Sequence, residues 1–259
     1  MLERFKVPKE DEVRVSHDAL NETVSTIFEK MGVSSDDAAL GAEVLVATDL
    51  RGVETHGVSN MLRSYVEGYT QGTLNPRPDM RVVRETPSTA NVDADKGLAV
   101  ILGPKAMQMA IDKARNVGVG VVTMSNAGHS GAIGHHAMLA AKQDMVGMTA
   151  TSGGLLVVPT YGAEPRLGTN PIAIAAPAKS EPALLFDAAT SAVAGNKLRL
   201  AERVGADMLP GWIAGLDGDP VMDEVKLPDR GQYFQLPLGG TRDQGSHKGY
   251  GFGLMSEVL

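Results

Sequence analysis

The sequence has no cysteine, which removes disulfides and thiolate metal ligands together. That fits a reducing compartment, and a cytoplasmic location is the expectation. Aromatic residues amount to only 4%, and lysines and arginines are scattered, so neither a base-stacking platform nor a basic nucleic-acid face is expected. A net charge of −7 points the same way. No run of about eighteen apolar residues occurs, so no membrane-spanning helix is expected. The start, Met1 to Asp11, is polar and charged, unlike a secretory signal. The usual nucleotide and nucleophile motifs are missing too. Gly118-Val119-Gly120 lacks the third glycine of GxGxxG, the series Gly249, Gly251, Gly253 has the wrong spacing, and no Walker loop occurs. Ala150-Thr151-Ser152-Gly153-Gly154 lacks the leading glycine of a serine-hydrolase elbow.

What is present is a chain of 259 residues, 43% hydrophobic, long enough for one large domain or two. Its pivot is Asp49-Leu50-Arg51-Gly52-Val53-Glu54-Thr55-His56-Gly57, which sets acids, an arginine, a threonine and a histidine between two helical patterns. The spacing predicts a helix ending near Ala47, a turn at Gly52, and Thr55 as N-cap of the next helix. His56 would then lie in that helix's first turn, where the macrodipole opposes protonation. Such an imidazole exchanges protons near neutral pH.

Before the pivot, Ser16 opens a helix through Met31 that Gly32 closes, and Ser34 or Ser35 opens a second. After it, Val58, Met61, Leu62, Tyr65, Val66 and Tyr69 form a third amphipathic face. Gly72 to Pro78 is a connector, followed by β-rich runs at Met80 to Arg84 and Ala90 to Val92. Pro104 suits the first turn of a helix ending at Gly118, and Val119 to Met124 reads as a buried strand. A helix from about Ala132 to Gln143 and strands at Val146 to Thr151, Ile172 to Ala176 and Leu184 to Phe186 come next. Ser191 starts a helix through about Val204. The aperiodic stretch from Gly205 to Ser246 reads as a long excursion over the surface.

The loop Ser125-Asn126-Ala127-Gly128-His129-Ser130-Gly131 sits where a strand ends and a helix begins, the position at which open α/β sheets take ligands. His129 is the second candidate histidine. His135 and His136 follow on the next helix, but the loop holds no acid and no HExxH spacing occurs, so a packed or solvated pair is expected and no metal. Gly168-Thr169-Asn170-Pro171 offers backbone and side-chain hydrogen bonds to a polar ligand. Asp187-Ala188-Ala189-Thr190-Ser191 closes a strand with an acid and hydroxyls that either cap the next helix or hold a nucleotide's ribose and phosphates.

Together with His247-Lys248-Gly249-Tyr250-Gly251, these runs resemble, in order and spacing over nearly the whole chain, the malate/L-lactate dehydrogenase family that is distinct from the Rossmann-fold lactate and malate dehydrogenases. Its members include sulfolactate, ureidoglycolate and piperideine-2-carboxylate enzymes. The resemblance implies a mixed α/β fold of the sulfolactate dehydrogenase type. An N-terminal helical segment would span residues 1–75 and a non-Rossmann NAD(P)-binding sheet domain residues 76–246. A returning helical segment would begin at 247–259, and family members continue past the equivalent of Leu259. It further implies a homodimer that moves hydride between NAD or NADP and a small 2-hydroxy or 2-oxo acid, malate- or lactate-like. By the likeness His129 is the proton acceptor when alcohol is oxidised, and His56 holds and polarises the substrate. Ser152, Gly168, Thr169, Asn170, Asp187, Thr190, Ser191, His247 and Lys248 fall in the cofactor pocket.

Two positions depart from the pattern. Relatives commonly carry a carboxylate-binding arginine four residues after the first histidine, where this chain has Asn60, with Arg63 nearby as a substitute. Ser130 follows His129 where an aromatic residue is usual. Besides the dehydrogenase, two readings remain open: a catalytically impaired nucleotide-binding relative, and a hydrolase built on Ser152.

Overall fold

The computed structural model describes residues 3–259. Met1 and Leu2, at the head of the polar start, lie outside the described residues. The chain divides into two compact units. One comprises residues 13–148 and 174–186, the other residues 1–12, 149–173 and 187–259. These units cut across the three segments expected from the sequence, because the first helices share a core with the segment that follows them.

In the first unit, helices α1 (His17–Lys30), α2 (Ser35–Leu50) and α3 (Val58–Thr70) form the expected helical layer. The cap of α2 is Ser34, whose Oγ accepts from the Asp37 amide at 3.3 Å. Val24, Phe28, Val44, Leu45, Met61 and Tyr65 pack with Leu98, Val100, Ile101 and Leu102 of the α4 region, so helices before and after the pivot close on one core. Strands β1 (Arg81–Glu85), β2 (Thr89–Asp93) and β3 (Val121–Ser125) make a sheet in which β1 is antiparallel and β3 parallel to β2. The parallel crossover is α4 (Ala99–Val117), and α5 (Gly134–Ala141) follows the loop after β3.

Two expectations fail here. Helix α4 starts at Ala99, so Pro104 lies inside it rather than in its first turn. An interior proline costs about 3 kcal/mol. Burying Leu98, Val100, Ile101 and Leu102 contributes roughly 1.5–3 kcal/mol each, which outweighs it. Strand β3 is not buried either: Val119 is 56% and Val121 49% exposed, because α4 covers the other face of the sheet.

Strands β4 (Gly147–Ala150), β5 (Ile172–Ala176) and β6 (Leu184–Ala188) form a second three-stranded sheet in that order. In the second unit lie α6 (Gly195–Val204), the paired two-residue strands β7 (Ile213–Ala214) and β8 (Phe234–Gln235), and α7 (Ser246–Val258). Helix α6 begins later than Ser191, whose hydroxyl donates instead to the Val193 carbonyl at 2.7 Å. The region from Gly205 to Ser246 has little regular structure, as expected, but it is no surface excursion. Met208, Ile213, Ala214 and Leu236 are buried and supply much of this unit's core. Their irregular spacing leaves no periodic trace in the sequence. Phe5 is buried against Leu200 and Ala201 and stacks on Trp212, with ring centroids 6.0 Å apart.

Candidate active site

The first histidine is set by the turn between α2 and α3. Helix α2 continues past Ala47 to Leu50, Gly52 at φ +73° reverses the chain, and Glu54–His56 form a single 3-10 turn. His56 therefore precedes α3 rather than occupying its first turn. Thr55 is not the cap: its Oγ1 lies 2.8 Å from His56 Nδ1. The amino end of α3 is capped by Asp49, whose Oδ2 accepts from the Val58 amide at 2.9 Å. A carboxylate there gains both a hydrogen bond and the helix dipole. Only glycine fits at position 57, because a Cβ would fall 1.6 Å from Asp49 Oδ1. Dehydration raises the Asp49 pKa against the Val58 bond. Asn60 Nδ2 donates to the Thr55 carbonyl at 3.1 Å, tying the histidine's turn to α3.

The second histidine stands on the loop after β3. Its carbonyl accepts from the Val100 amide at 3.1 Å, and the Gly128 amide donates to the Gly97 carbonyl at 2.8 Å. His136 Nε2 is 3.0 Å from the Ser130 carbonyl. Only a protonated nitrogen bonds a carbonyl, so His136 Nε2 donates and its Nδ1 is left a buried atom without a partner among the described residues. His136 is 2% exposed, and burial, with the charge of His135 adding to it, pushes its pKa down to about 4. Of the expected packed or solvated pair, His136 is packed and its ring holds the loop.

The two candidate histidines meet. Their ring centroids are 5.6 Å apart, with planes 14° from parallel. A flat group between them would need about 7 Å, twice a carbon contact distance, so a substrate would meet the rings at their edges. Dehydration lowers the pKa of His56. Dehydration, then the charge of His56, pushes His129 down to about 4. His129 is nonetheless exposed, and solvent moderates the depression without reversing it. Both imidazoles are neutral at pH 7. Tyr65 completes the group, its hydroxyl 2.7 Å from His129 Nδ1. Arg63 is exposed and lies two positions before Tyr65, roughly 160° round α3 from it.

The residues expected to hold a cofactor lie in the second unit and fall into two groups. Asn170, Thr190 and Ser191 are buried. Asn170 Oδ1 accepts from the Gly153 amide at 3.3 Å, and its Nδ2 donates to the Gly253 carbonyl at 3.0 Å and to Glu257 Oε1 at 2.9 Å. Thr190 Oγ1 donates to the Thr169 carbonyl at 3.1 Å. A Cβ at Gly168 would fall 1.8 Å from the Gly153 carbonyl oxygen, so the close approach of two backbones requires glycine there. These residues clamp loops. Ser152, Asp187, His247 and Lys248 are exposed, the last two in the first turn of α7. Among the described residues Ser152 has no histidine bonded to it, which leaves the hydrolase reading without a base.

The family model for malate/L-lactate dehydrogenase matches residues 15–259. The chain belongs to that family. It is an oxidoreductase of the malate/L-lactate dehydrogenase type. It is 43% identical to malate dehydrogenase from Pyrococcus horikoshii over 251 residues, 96% of this chain and 69% of the relative. Ureidoglycolate dehydrogenase (NAD(+)) from Escherichia coli O157:H7 is 32% identical over 247 residues, 95% of this chain and 67% of the relative. The solved structure of sulfolactate dehydrogenase from Methanocaldococcus jannaschii superposes with a TM-score of 0.83 at 38% identity, covering 95% of this chain and 68% of that one. The chain thus spans about two thirds of the length of these relatives, and the expected sulfolactate dehydrogenase-like fold is borne out.

For this dehydrogenase the exposed set fits a dinucleotide in its chemistry. Lys248, His247 and the positive end of α7 suit phosphates, and Asp187 suits ribose hydroxyls. Among the described residues no group of three or more His, Asp or Glu could hold a metal ion, and no helix is long and apolar enough to cross a membrane. Sequence reasoning missed Asp49 as cap and Tyr65 as partner of His129. Asp49 gave no local signal, because it caps from nine residues upstream. Tyr65 gave a faint one, since a tyrosine on an apolar helix face must find a partner for its hydroxyl.

Proposed function

We propose that this chain transfers hydride between NAD or NADP and a small 2-hydroxy acid or its 2-oxo acid, malate- or lactate-like, with His129 accepting the hydroxyl proton and His56 holding and polarising the substrate oxygen. The observation that carries the proposal is the pair of neutral, near-parallel imidazoles 5.6 Å apart. A bound nicotinamide supplies the hydride acceptor. His129 is neutral at working pH and open to solvent, so it can take a proton. His56, whose Nδ1 is held by Thr55 Oγ1, supplies the second polar ring beside it. Asn60 acts through the Thr55 carbonyl, holding the turn that carries His56.

Lys248, His247, Asp187 and Ser152 bind the nucleotide, and Gly168, Thr169, Asn170, Thr190 and Ser191 hold the loops that present them. The name of the ureidoglycolate relative supports NAD. The family likeness supports a homodimer, which light scattering would test. Absorbance of the reduced nicotinamide, followed with a panel of 2-hydroxy acids, tests the activity. His129→Ala should slow oxidation by roughly 10²–10⁴, the share of a general base, and near wild-type turnover would overturn the assignment.

A further inference from the structure

The His136 imidazole has no part in the chemistry described above, yet it is buried with one nitrogen engaged and the other stranded. Its Nε2 donates to the Ser130 carbonyl at 3.0 Å, and its Nδ1 has no partner among the described residues. A leucine would fill the space without burying an unpaired acceptor, so packing alone does not account for an imidazole there. The neighbouring backbone makes room for the ring. A Cβ on Gly103, inside α4, would fall 2.6 Å from Nε2 and 2.9 Å from both Cδ2 and Cε1. Glycine, a poor helix former, opens the notch that seats the imidazole.

Where the gripped carbonyl leads gives the ring a use. The Ser130 carbonyl and the Gly131 amide are two ends of one planar peptide unit and point opposite ways across it. His136 holds the carbonyl end, and the amide end donates to His129 Nδ1 at 3.3 Å. Just before this unit, the Gly128 amide donates to the Gly97 carbonyl at 2.8 Å and the Val100 amide to the His129 carbonyl at 3.1 Å. Those bonds fix the main chain through the His129 carbonyl, and the peptide plane that follows is the one His136 sets.

We propose that His136 is a positioning residue for His129: by donating to the Ser130 carbonyl it turns the Gly131 amide of the same peptide onto His129 Nδ1 and so fixes the orientation of that ring. The proposal rests on the reading that His129 meets the substrate. An amide hydrogen at Nδ1 opposes a proton on that nitrogen, so the contact also favours the neutral ring. The other groups facing His129 are the His56 ring and the Tyr65 hydroxyl, and neither lies on this path. His135, edge-on to His136 at 6.1 Å between centroids, is the titratable neighbour on the other side.

His136→Leu removes the donor and keeps an apolar filler, His136→Gln keeps an N–H donor, and Gly103→Ala pushes the ring off its seat while leaving His136 in the chain. Proton spectra of the His129 ring against pH, with hydrogen exchange at the Gly131 amide, need no substrate. In His136→Leu and Gly103→Ala, His129 should titrate at higher pH than in the wild type and the Gly131 amide should exchange faster, with His136→Gln close to wild type. Turnover in His136→Leu should fall about tenfold, as for a misplaced reacting group, with KM within about threefold. The same change should add nothing in a His129→Ala background. Unchanged His129 titration and Gly131 exchange in both disrupting variants overturn the proposal, even where turnover falls. Near wild-type turnover in His129→Ala overturns instead the reading beneath it, and the substrate-free spectra tell the two failures apart.

Discussion

Gly57→Ala should destabilise the protein through a single contact. The backbone at Gly57, with φ −85° and ψ −169°, is extended and suits alanine, so no dihedral strain arises. The added Cβ would lie 1.6 Å from Asp49 Oδ1, 2.3 Å from Cγ and 2.7 Å from Oδ2, so the carboxylate must swing away. Leaving, it gives up the Val58 amide bond of 2.9 Å. A hydrogen bond to a charged group contributes about 1.5–3 kcal/mol, and losing a cap costs a comparable amount of about 0.5–2 kcal/mol by itself. Both describe one interaction and are not added. Replacing glycine by alanine stiffens the unfolded chain and returns about 0.4–1 kcal/mol. The net loss is about 1–2 kcal/mol, a Tm lower by about 2–8 °C for a chain of this size. Asp49→Ala should cost about 1.5–3 kcal/mol, with the Val58 amide exposed. The decisive assay is the double-mutant cycle by urea unfolding. In the Asp49→Ala background, Gly57→Ala should cost nothing or stabilise slightly, since the clashing atoms are gone. If the full penalty persists there, steric expulsion of the Asp49 cap is not the reason glycine stands at 57.

Further outcomes follow from the same geometry. His136 is buried, and burial holds its pKa down to about 4, whereas an unfolded histidine takes its proton near 6.5. The unfolded chain therefore binds more protons between these values, and stability should be full above about pH 6.5 and fall as pH drops toward about 4. A urea midpoint that stays level over that range would refute this. Asn170→Ala removes three hydrogen bonds from a side chain 1% exposed and should cost about 2–4 kcal/mol, measurable as a lower urea midpoint. Lys248→Ala should leave the midpoint within about 0.5 kcal/mol, as surface substitutions do, yet weaken binding of reduced nicotinamide dinucleotide about tenfold in a fluorescence titration. Equal losses of stability in the two variants would contradict the division into clamping and exposed residues.

Much of the architecture could be read from periodicity and punctuation. Ser34, Gly52 and the β-rich runs of β2 and β5 marked elements the chain does form, because caps, turns and strands depend on neighbours a few residues away. The reading failed where the deciding partner is distant. Pro104 stands inside α4 because an apolar run before it is buried in a core built largely by earlier helices. The 205–246 region hides a core, since Met208, Ile213 and Leu236 are buried from irregular backbone that no period describes. Thr55 had the right chemistry for a cap, but Asp49 reached the helix end first.

The sequence by itself determined the family, the two histidine-bearing loops and the absence of thiol chemistry, because residue type and local spacing are enough for these. Only the folded chain decided which atoms touch. It set the two imidazoles 5.6 Å apart and brought Tyr65 to His129 Nδ1. Contacts between residues far apart along the chain are fixed by shared burial in one core, and burial is a property of the packed whole that no short stretch contains.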